Sequence, residues 1–225
     1  SPAPLACFLK HGEKFLLSAS PERFLKKESR KIISQPMKGT ISRSNHAESD
    51  EHAKELLGTD EKEKAENVMI VDLVRNDLAR SAVAGSVSVE ELFGIYSFPR
   101  VHQMISTVSA TLRNDVHFTE AIRNAFPMGS MTGAPKVMAM QLIDKYEKVK
   151  RGLFSGSAGY ITPGGDFDFN VVIRSLLYNR ESRYLSFQTG SAITHDCNPE
   201  KEYEECLLKA QAIMSTLGID FVSSP

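Results

Sequence analysis

The strand-like runs of this chain are joined by very short turn signals. KHGE lies between LACFL and KFLLSAS, PGGD between LFSGSAGYIT and FNVVIRSLLYN, and RESR between that run and YLSFQTGSAIT. Connections this short link antiparallel neighbours, because a parallel pair needs a crossover of about a dozen residues or more. A further strand follows the charged turn in KKESRKIISQP, and GSVSVEEL and RVHQMISTVSATL return to β-branched texture. The helix formers lie in separate blocks instead of alternating with strands. The chain is therefore expected to be α+β, with antiparallel sheets carrying packed helices, and not a doubly wound parallel sheet.

Residues 48–80 are rich in charge and predict two helices broken at Gly58, the second beginning near Asp60. FTEAIRNAF predicts a short helix with Thr119 as its N-cap. The glycine-rich loop PMGSMTGAPK leads into another helix, with Pro135 suited to its first turn. Asn198 as N-cap, Pro199 at the first position and Gly218 as stop bound the last helix. At about 100° per residue, Glu202, Glu205 and Lys209 share one flank of that helix. Tyr203, Leu207, Ala210, Met214 and Leu217 form its expected core stripe. In the helix after Asp60, Glu63 and Glu66 lie beside a stripe of Asn67, Val71, Val74 and Leu78. Spacing alone leaves two readings open. One is a solvated charged face with a Glu205–Lys209 pair worth a few tenths of a kcal/mol. The other is a Mg²⁺ site, since this ion takes hard oxygen ligands and needs only one or two carboxylates beside a substrate anion.

Composition narrows the classes of function. With 27 basic and 28 acidic residues the net charge is −1, which offers no electrostatic footprint for nucleic acid or an anionic membrane. No apolar run reaches the roughly 20 residues of a membrane helix. SPAPLACFLK reads as a strand entry and not as a secretory leader. Cys7, Cys197 and Cys206 show no metal-ligand spacing and are expected to be reduced, buried small hydrophobes in a cytoplasmic protein.

Several stretches gain meaning in order: SASPERF, QPMKGTISR, KEKAENVMIVDLVRNDLAR, FPMGSMTGAPKVMAMQLID, SGSAGYIT, IRSLL and EKEYEECLLKA. Any one is a weak signal, but the ordered set closely resembles the chorismate-utilising enzymes. That family includes the anthranilate, aminodeoxychorismate, isochorismate and salicylate synthases. The match runs over about residues 2 to 217. The resemblance implies a single catalytic domain over 1–225, with antiparallel sheets packed as a sandwich, helices outside and the active site in the central cleft. Family chains usually extend further upstream, so this chain is expected to lack that region.

The resemblance also assigns roles to residues that would otherwise read as surface or core positions. It implies Mg²⁺ on the ring carboxylate of chorismate, with Glu66 and Glu205 as direct ligands and Glu63 and Glu202 holding waters. Glu22 matches the general acid that lets the C4 hydroxyl leave as water, a task that needs a pKa raised by burial or by neighbouring carboxylates. Tyr160 and Arg174 match residues that grip the enolpyruvyl carboxylate, for which a guanidinium fork is well shaped. Lys209, Gly39, Thr40, Thr132 and Gly190 match further substrate-binding positions. Two positions depart from the pattern. Gln103 stands where the family usually carries histidine, and His102, one residue earlier on a strand, should face the other way. In TGSAI, Ala192 adds a β-carbon in a run that is usually glycine-rich.

Branches of the family differ at Lys38. Anthranilate, isochorismate and salicylate synthases generally show alanine there, and aminodeoxychorismate synthases generally show lysine. The resemblance to the lysine branch implies attack of Lys38 on C2 of chorismate as the C4 hydroxyl leaves, then addition of ammonia at C4 with expulsion of the lysine. The implied product is 4-amino-4-deoxychorismate, on the way to 4-aminobenzoate and folate. Ammonia would come from a separate glutamine amidotransferase subunit, since no glutaminase segment is visible in the sequence. Two alternatives stay open. One is an anthranilate synthase component I, against which Lys38 stands. The other is a catalytically silent chorismate-binding paralogue, which Gln103 and Ala192 motivate.

Overall fold

The computed structural model describes residues 3–195 and 197–219. Its elements begin with β1 (Leu5–His11), β2 (Lys14–Ser20), β3 (Arg23–Glu28), β4 (Lys31–Gln35) and β5 (Met37–Ser42). Then come α1 (Ala47–Thr59), α2 (Glu61–Ala79), β6 (Ser88–Ser97), β7 (Val101–Thr111), α3 (Phe118–Ala125) and α4 (Lys136–Tyr146). The last are β8 (Ser157–Ile161), β9 (Phe167–Val171), β10 (Ser175–Asn179), β11 (Tyr184–Ser186) and α5 (Pro199–Thr216). Every strand pairing is antiparallel, as the short turns require.

The strands form two sheets. The smaller has the order β1–β2–β10–β11. Its first hairpin pairs His11 with Lys14, leaving the two-residue loop Gly12–Glu13, and Gly12 takes φ 57°, the left-handed backbone that such loops need. The larger sheet runs β5–β7–β4–β3–β9–β8, with β6 on the far edge of β7. β4 and β5 pair with successive stretches of the same β7 edge. Pro36 separates them; having no N–H to give to a ladder, it offers only its carbonyl, which accepts from Ser106 N at 3.1 Å.

α2 covers the larger sheet because its apolar stripe is long. Asn67, Val71, Val74 and Leu78 are all buried, as expected from their spacing. The three apolar ones join Phe24, Leu25, Ile32, Val108 and Phe167 in the main core, where each fully buried large side chain contributes about 1.5–3 kcal/mol. The helix starts where predicted, with the Asp60 side chain accepting from Glu63 N. The two sheets meet at Leu16, Ala158 and Val172, with Cys7 and Leu177 packed against them. Asn170 on β9 also donates to the carbonyl of Leu5 on β1 at 2.9 Å.

Several local expectations are corrected. The charged residues before Ser29 belong to β3 and not to a turn, because Lys27 finds Asp166 at 2.9 Å beside the next strand. FNVVIRSLLYN is two strands in different sheets, divided around Arg174, whose φ is 51°. YLSFQTGSAIT contributes only the three residues of β11. His117, not Thr119, caps α3, its side chain accepting from Thr119 N. On α5, Tyr203 is 65% exposed while Glu202 is only 6% exposed, so the core stripe is rotated toward Glu202, Ala210 and Ile213. The three cysteines are free as expected, but half-buried instead of buried. Among the described residues, no helix is long and apolar enough to cross a membrane.

Candidate active site

The backbone crosses between the two sheets twice, at 21–22 and at 172–174. The crossings run side by side. Val171 N donates to the Glu22 carbonyl at 3.0 Å, and Ala19 N donates to the Arg174 carbonyl at 3.1 Å. Glu22 and Arg174, candidates from distant parts of the sequence, are thereby fixed at one junction. Burial pushes the Glu22 carboxyl up to about 7, against a hydrogen bond from Ser130 and the charge of Lys38. Burial likewise pulls the Arg174 guanidinium below its ordinary value, opposed by the charge of Glu205. That guanidinium makes no hydrogen bond among the described residues, which leaves its fork free.

Lys38 comes from a break in β5. The register against β7 shifts between Met37 and Thr40, and Gly39 takes φ 83°. Glycine is needed there twice over. The backbone is left-handed, and an added Cβ would lie 2.9 Å from Leu57 Cδ1 and 3.3 Å from Glu63 Oε2. The break lets Lys38 Nζ donate to Glu66 Oε2 on α2 at 3.1 Å. Burial, then the charges of Glu66 and Asp60, raise the Glu63 carboxyl above its ordinary value.

α5 supplies the facing carboxylates. Lys62 Nζ lies 3.3 Å from Glu202 Oε1 and 3.7 Å from Glu66 Oε1, so it links α5 to α2. The Ser191 hydroxyl contacts both Glu202 and Glu205, the latter at 2.7 Å. Lys209 Nζ reaches Glu205 Oε1 at 2.7 Å and the Gly190 carbonyl at 2.9 Å. Lys38, Glu66, Glu202, Glu205, Lys209 and Gly190 thus form one continuous set of polar contacts across β5, α2, α5 and the segment before it.

Other candidates stand outside this set. Thr40 is exposed and pairs in register with Gln103. The Thr132 hydroxyl donates to the Met128 carbonyl at 2.9 Å and so closes its own turn. Tyr160 is 63% exposed on β8. His102 does not replace the missing histidine. It is fully buried, with Ser97 Oγ on Nδ1 and Asp50 Oδ1 on Nε2, each at 2.9 Å. Gln103 is buried, and its Oε1 has no hydrogen-bond partner.

The donors suit magnesium. Glu63, Glu66, Glu202 and Glu205 offer only hard oxygens, which Mg²⁺ selects. One hydroxyl proton at Ser191 cannot satisfy two carboxylates together, and an ammonium already lies between Glu66 and Glu202. As the side chains stand, Glu66, Glu202 and Glu205 are engaged by lysines or Ser191. No group of three or more acidic, histidine or cysteine side chains converges to hold a metal among the described residues.

Four participants were not singled out from the sequence. Lys62 carried a signal, since it stands four residues before Glu66 on one helix. Ser130 lay in the glycine-rich loop and Ser191 in a run read as strand, and neither carried a signal of its own. Lys136 supports Ser130 from below: its Nζ bonds Asp77 Oδ2 at 2.6 Å and the Pro127 carbonyl at 2.8 Å, pinning the loop to α2.

Residues 1–215 match the family described as chorismate binding enzyme. The aminodeoxychorismate synthase component 1 of Salmonella typhimurium is 43% identical over 215 residues, covering 96% of this chain and 47% of that protein. The chloroplastic aminodeoxychorismate synthase of Arabidopsis thaliana is 44% identical, covering 94% of this chain and 23% of that protein. Among solved structures, anthranilate synthase component I from Streptococcus pneumoniae superposes with a TM-score of 0.82 at 31% identity, covering 94% of this chain and 46% of that one. The chain therefore spans about half the length, or less, of these relatives. Sequence and fold agree, and the chain belongs to the chorismate binding enzyme family.

Proposed function

We propose that this chain carries the chemistry that aminates chorismate at C4, giving 4-amino-4-deoxychorismate for 4-aminobenzoate and folate synthesis. The observation that carries the reading is the placement of Lys38. Its Nζ is held 3.1 Å from Glu66, and its charge acts on Glu22, a carboxyl that burial pushes up to about 7. A candidate nucleophile therefore lies within electrostatic reach of a candidate proton donor.

In this reading Glu22 gives its proton to the C4 hydroxyl, which leaves as water. The Lys38 amine, having lost its ammonium proton, forms a bond from Nζ to C2, and both ring double bonds shift, C1=C2 to C1=C6 and C5=C6 to C4=C5. Ammonia then bonds to C4, both double bonds shift back, and the C2–Nζ bond breaks. Ammonia's surplus proton returns to Glu22. The net change is chorismate plus ammonia to product plus water. The free guanidinium of Arg174 grips the enolpyruvyl carboxylate, with Lys209, Gly190 and Gly39 beside it; Tyr160, Thr40 and Thr132, also expected to bind substrate, stand outside the polar set. Glu66 and Glu205 would hold Mg²⁺ directly, with Glu63 and Glu202 through water. A Mg²⁺ ion so bound supplies Lewis-acid charge at the ring carboxylate. Ammonia is supplied by a separate glutamine amidotransferase subunit, and the free cysteines suit a cytoplasmic setting.

The test is to incubate the protein with chorismate, MgCl₂ and an ammonium salt and to identify products by mass. Aminodeoxychorismate supports the reading. Anthranilate points to the alternative synthase, and chorismate binding without turnover points to a silent paralogue. Full ammonia-dependent activity in Lys38→Ala would refute the covalent step.

A further inference from the structure

Three lysines touch the acidic set, and they are not equivalent. All three are hydrogen-bonded to it, Lys38 at 3.1 Å, Lys209 at 2.7–2.9 Å and Lys62 at 3.3 Å, and the Lys38 and Lys209 side chains are 18% and 26% exposed. Lys62 differs. Its side chain is 58% exposed, and its Nζ sits between two helices, 3.3 Å from Glu202 and 3.7 Å from Glu66. It makes the one ion pair that joins α2 to α5 among the described residues. Its partner Glu202 is nearly buried, and the other Glu202 oxygen shares the Ser191 hydroxyl with Glu205. A buried carboxylate needs a counter-charge. Lys62 provides one on a flexible stem that reaches in from solvent.

We propose that Lys62 is a tethered counter-ion: its ammonium neutralises the α2–α5 carboxylates when no divalent cation is present and swings out to solvent when one binds. This rests on the Mg²⁺ reading above. The role follows from the geometry. An ammonium and a Mg²⁺ ion cannot both occupy the space between Glu66 and Glu202. Of the three lysines, Lys62 has the longest contacts and the most exposed side chain. The tether holds the helices in register without metal and sets an affinity threshold for the ion.

Two measurements test it, both with MgCl₂ alone as probe. Calorimetric titration compares the unaltered protein with Lys62→Met. The variant should bind Mg²⁺ about fivefold more tightly, the ratio produced when a competing ion pair of about 1 kcal/mol is removed. Its melting temperature should fall without Mg²⁺ and recover at saturating Mg²⁺. In the unaltered protein, lysine-directed labelling read by peptide mass should rise at Lys62 when Mg²⁺ is added. Equal or weaker binding by Lys62→Met overturns the tether and leaves the Mg²⁺ reading standing, as does labelling at Lys62 that Mg²⁺ does not change. A melting loss that Mg²⁺ does not restore assigns Lys62 an ordinary packing role and also overturns the tether. Absence of binding by both proteins overturns the Mg²⁺ reading itself, and the tether with it.

Discussion

Glu22→Gln should stabilise the protein at alkaline pH and leave it nearly unchanged in mild acid. Glu22 is 6% exposed, and burial raises its carboxyl from the ordinary 4.5 to about 7. Because the folded-state pKa is the higher one, the folded form holds its proton over a range where the unfolded chain has already lost it. The contribution to stability is full below pH 4.5, declines as pH rises, and is gone above about 7. One pKa unit corresponds to about 1.4 kcal/mol, so the ionised carboxylate costs about 3 kcal/mol at pH 8 or above. Glutamine keeps the shape and the hydrogen-bonding capacity and cannot ionise. For a chain of this size 1 kcal/mol is worth about 2–4 °C. The variant should therefore melt about 6–12 °C higher than the unaltered protein at pH 8.5, and the gap should close to a small fraction of that by pH 5. The assay is a melting series of both proteins across that range in one ionic strength. A gap of the same size at both ends would show that Glu22 ionises like a surface glutamate, and it would remove the physical basis for a proton donor at this position.

Gly39→Ala places a β-carbon against Leu57 and Glu63 on a left-handed backbone and should cost about 1–3 kcal/mol; urea unfolding midpoints measure it. Asp77→Ala leaves the Lys136 ammonium, 16% exposed, with backbone carbonyls as its only partners among the described residues. It should destabilise by about 3 kcal/mol, and the paired change Asp77→Leu with Lys136→Met should recover most of that; the same midpoints decide.

The parts legible in the sequence were those fixed by neighbours along the chain. α2 is the clearest case, because its cap Asp60 and the stripe from Asn67 to Leu78 act within one helix; the break expected at Gly58 falls at Asp60 instead, since α1 runs through Gly58 to Thr59. α5 shows the limit. Its cap and stop, Asn198 and Gly218, were readable, but its buried face was not. Hydrophobicity alone turns Tyr203 inward and Glu202 outward. The structure does the reverse, because Lys62 from α2 and Ser191 from the preceding segment satisfy Glu202. Those partners lie 140 and 11 residues away in the chain, beyond the reach of any periodicity. The run FNVVIRSLLYN hides its division for the same reason. Nothing within it says that its first half will pair with β3 and its second with β2. The ordered motifs named the candidate residues without showing that Tyr160 and Thr132 stand apart from the carboxylate set.

Three of the candidate residues, Glu22, Lys38 and Arg174, fall where strand ladders are interrupted, and this follows from what a ladder does. Within a paired strand the backbone is committed to its neighbours, and side chains can point only to the two faces of the sheet. Glu22 and Arg174 sit where the chain leaves one sheet for the other, and Lys38 sits in the break between Met37 and Thr40. At such places the side chain is aimed by a few specific bonds and not by the pleat. The Glu22 and Arg174 carbonyls are bound to Val171 and Ala19 across the junction, so the freedom gained is not spent on disorder. A rigid pair of sheets thus holds short irregular segments that carry the chemistry. Such segments can change without rebuilding the core, so under the proposed chemistry the residue at Lys38 would be free to vary on the same fold.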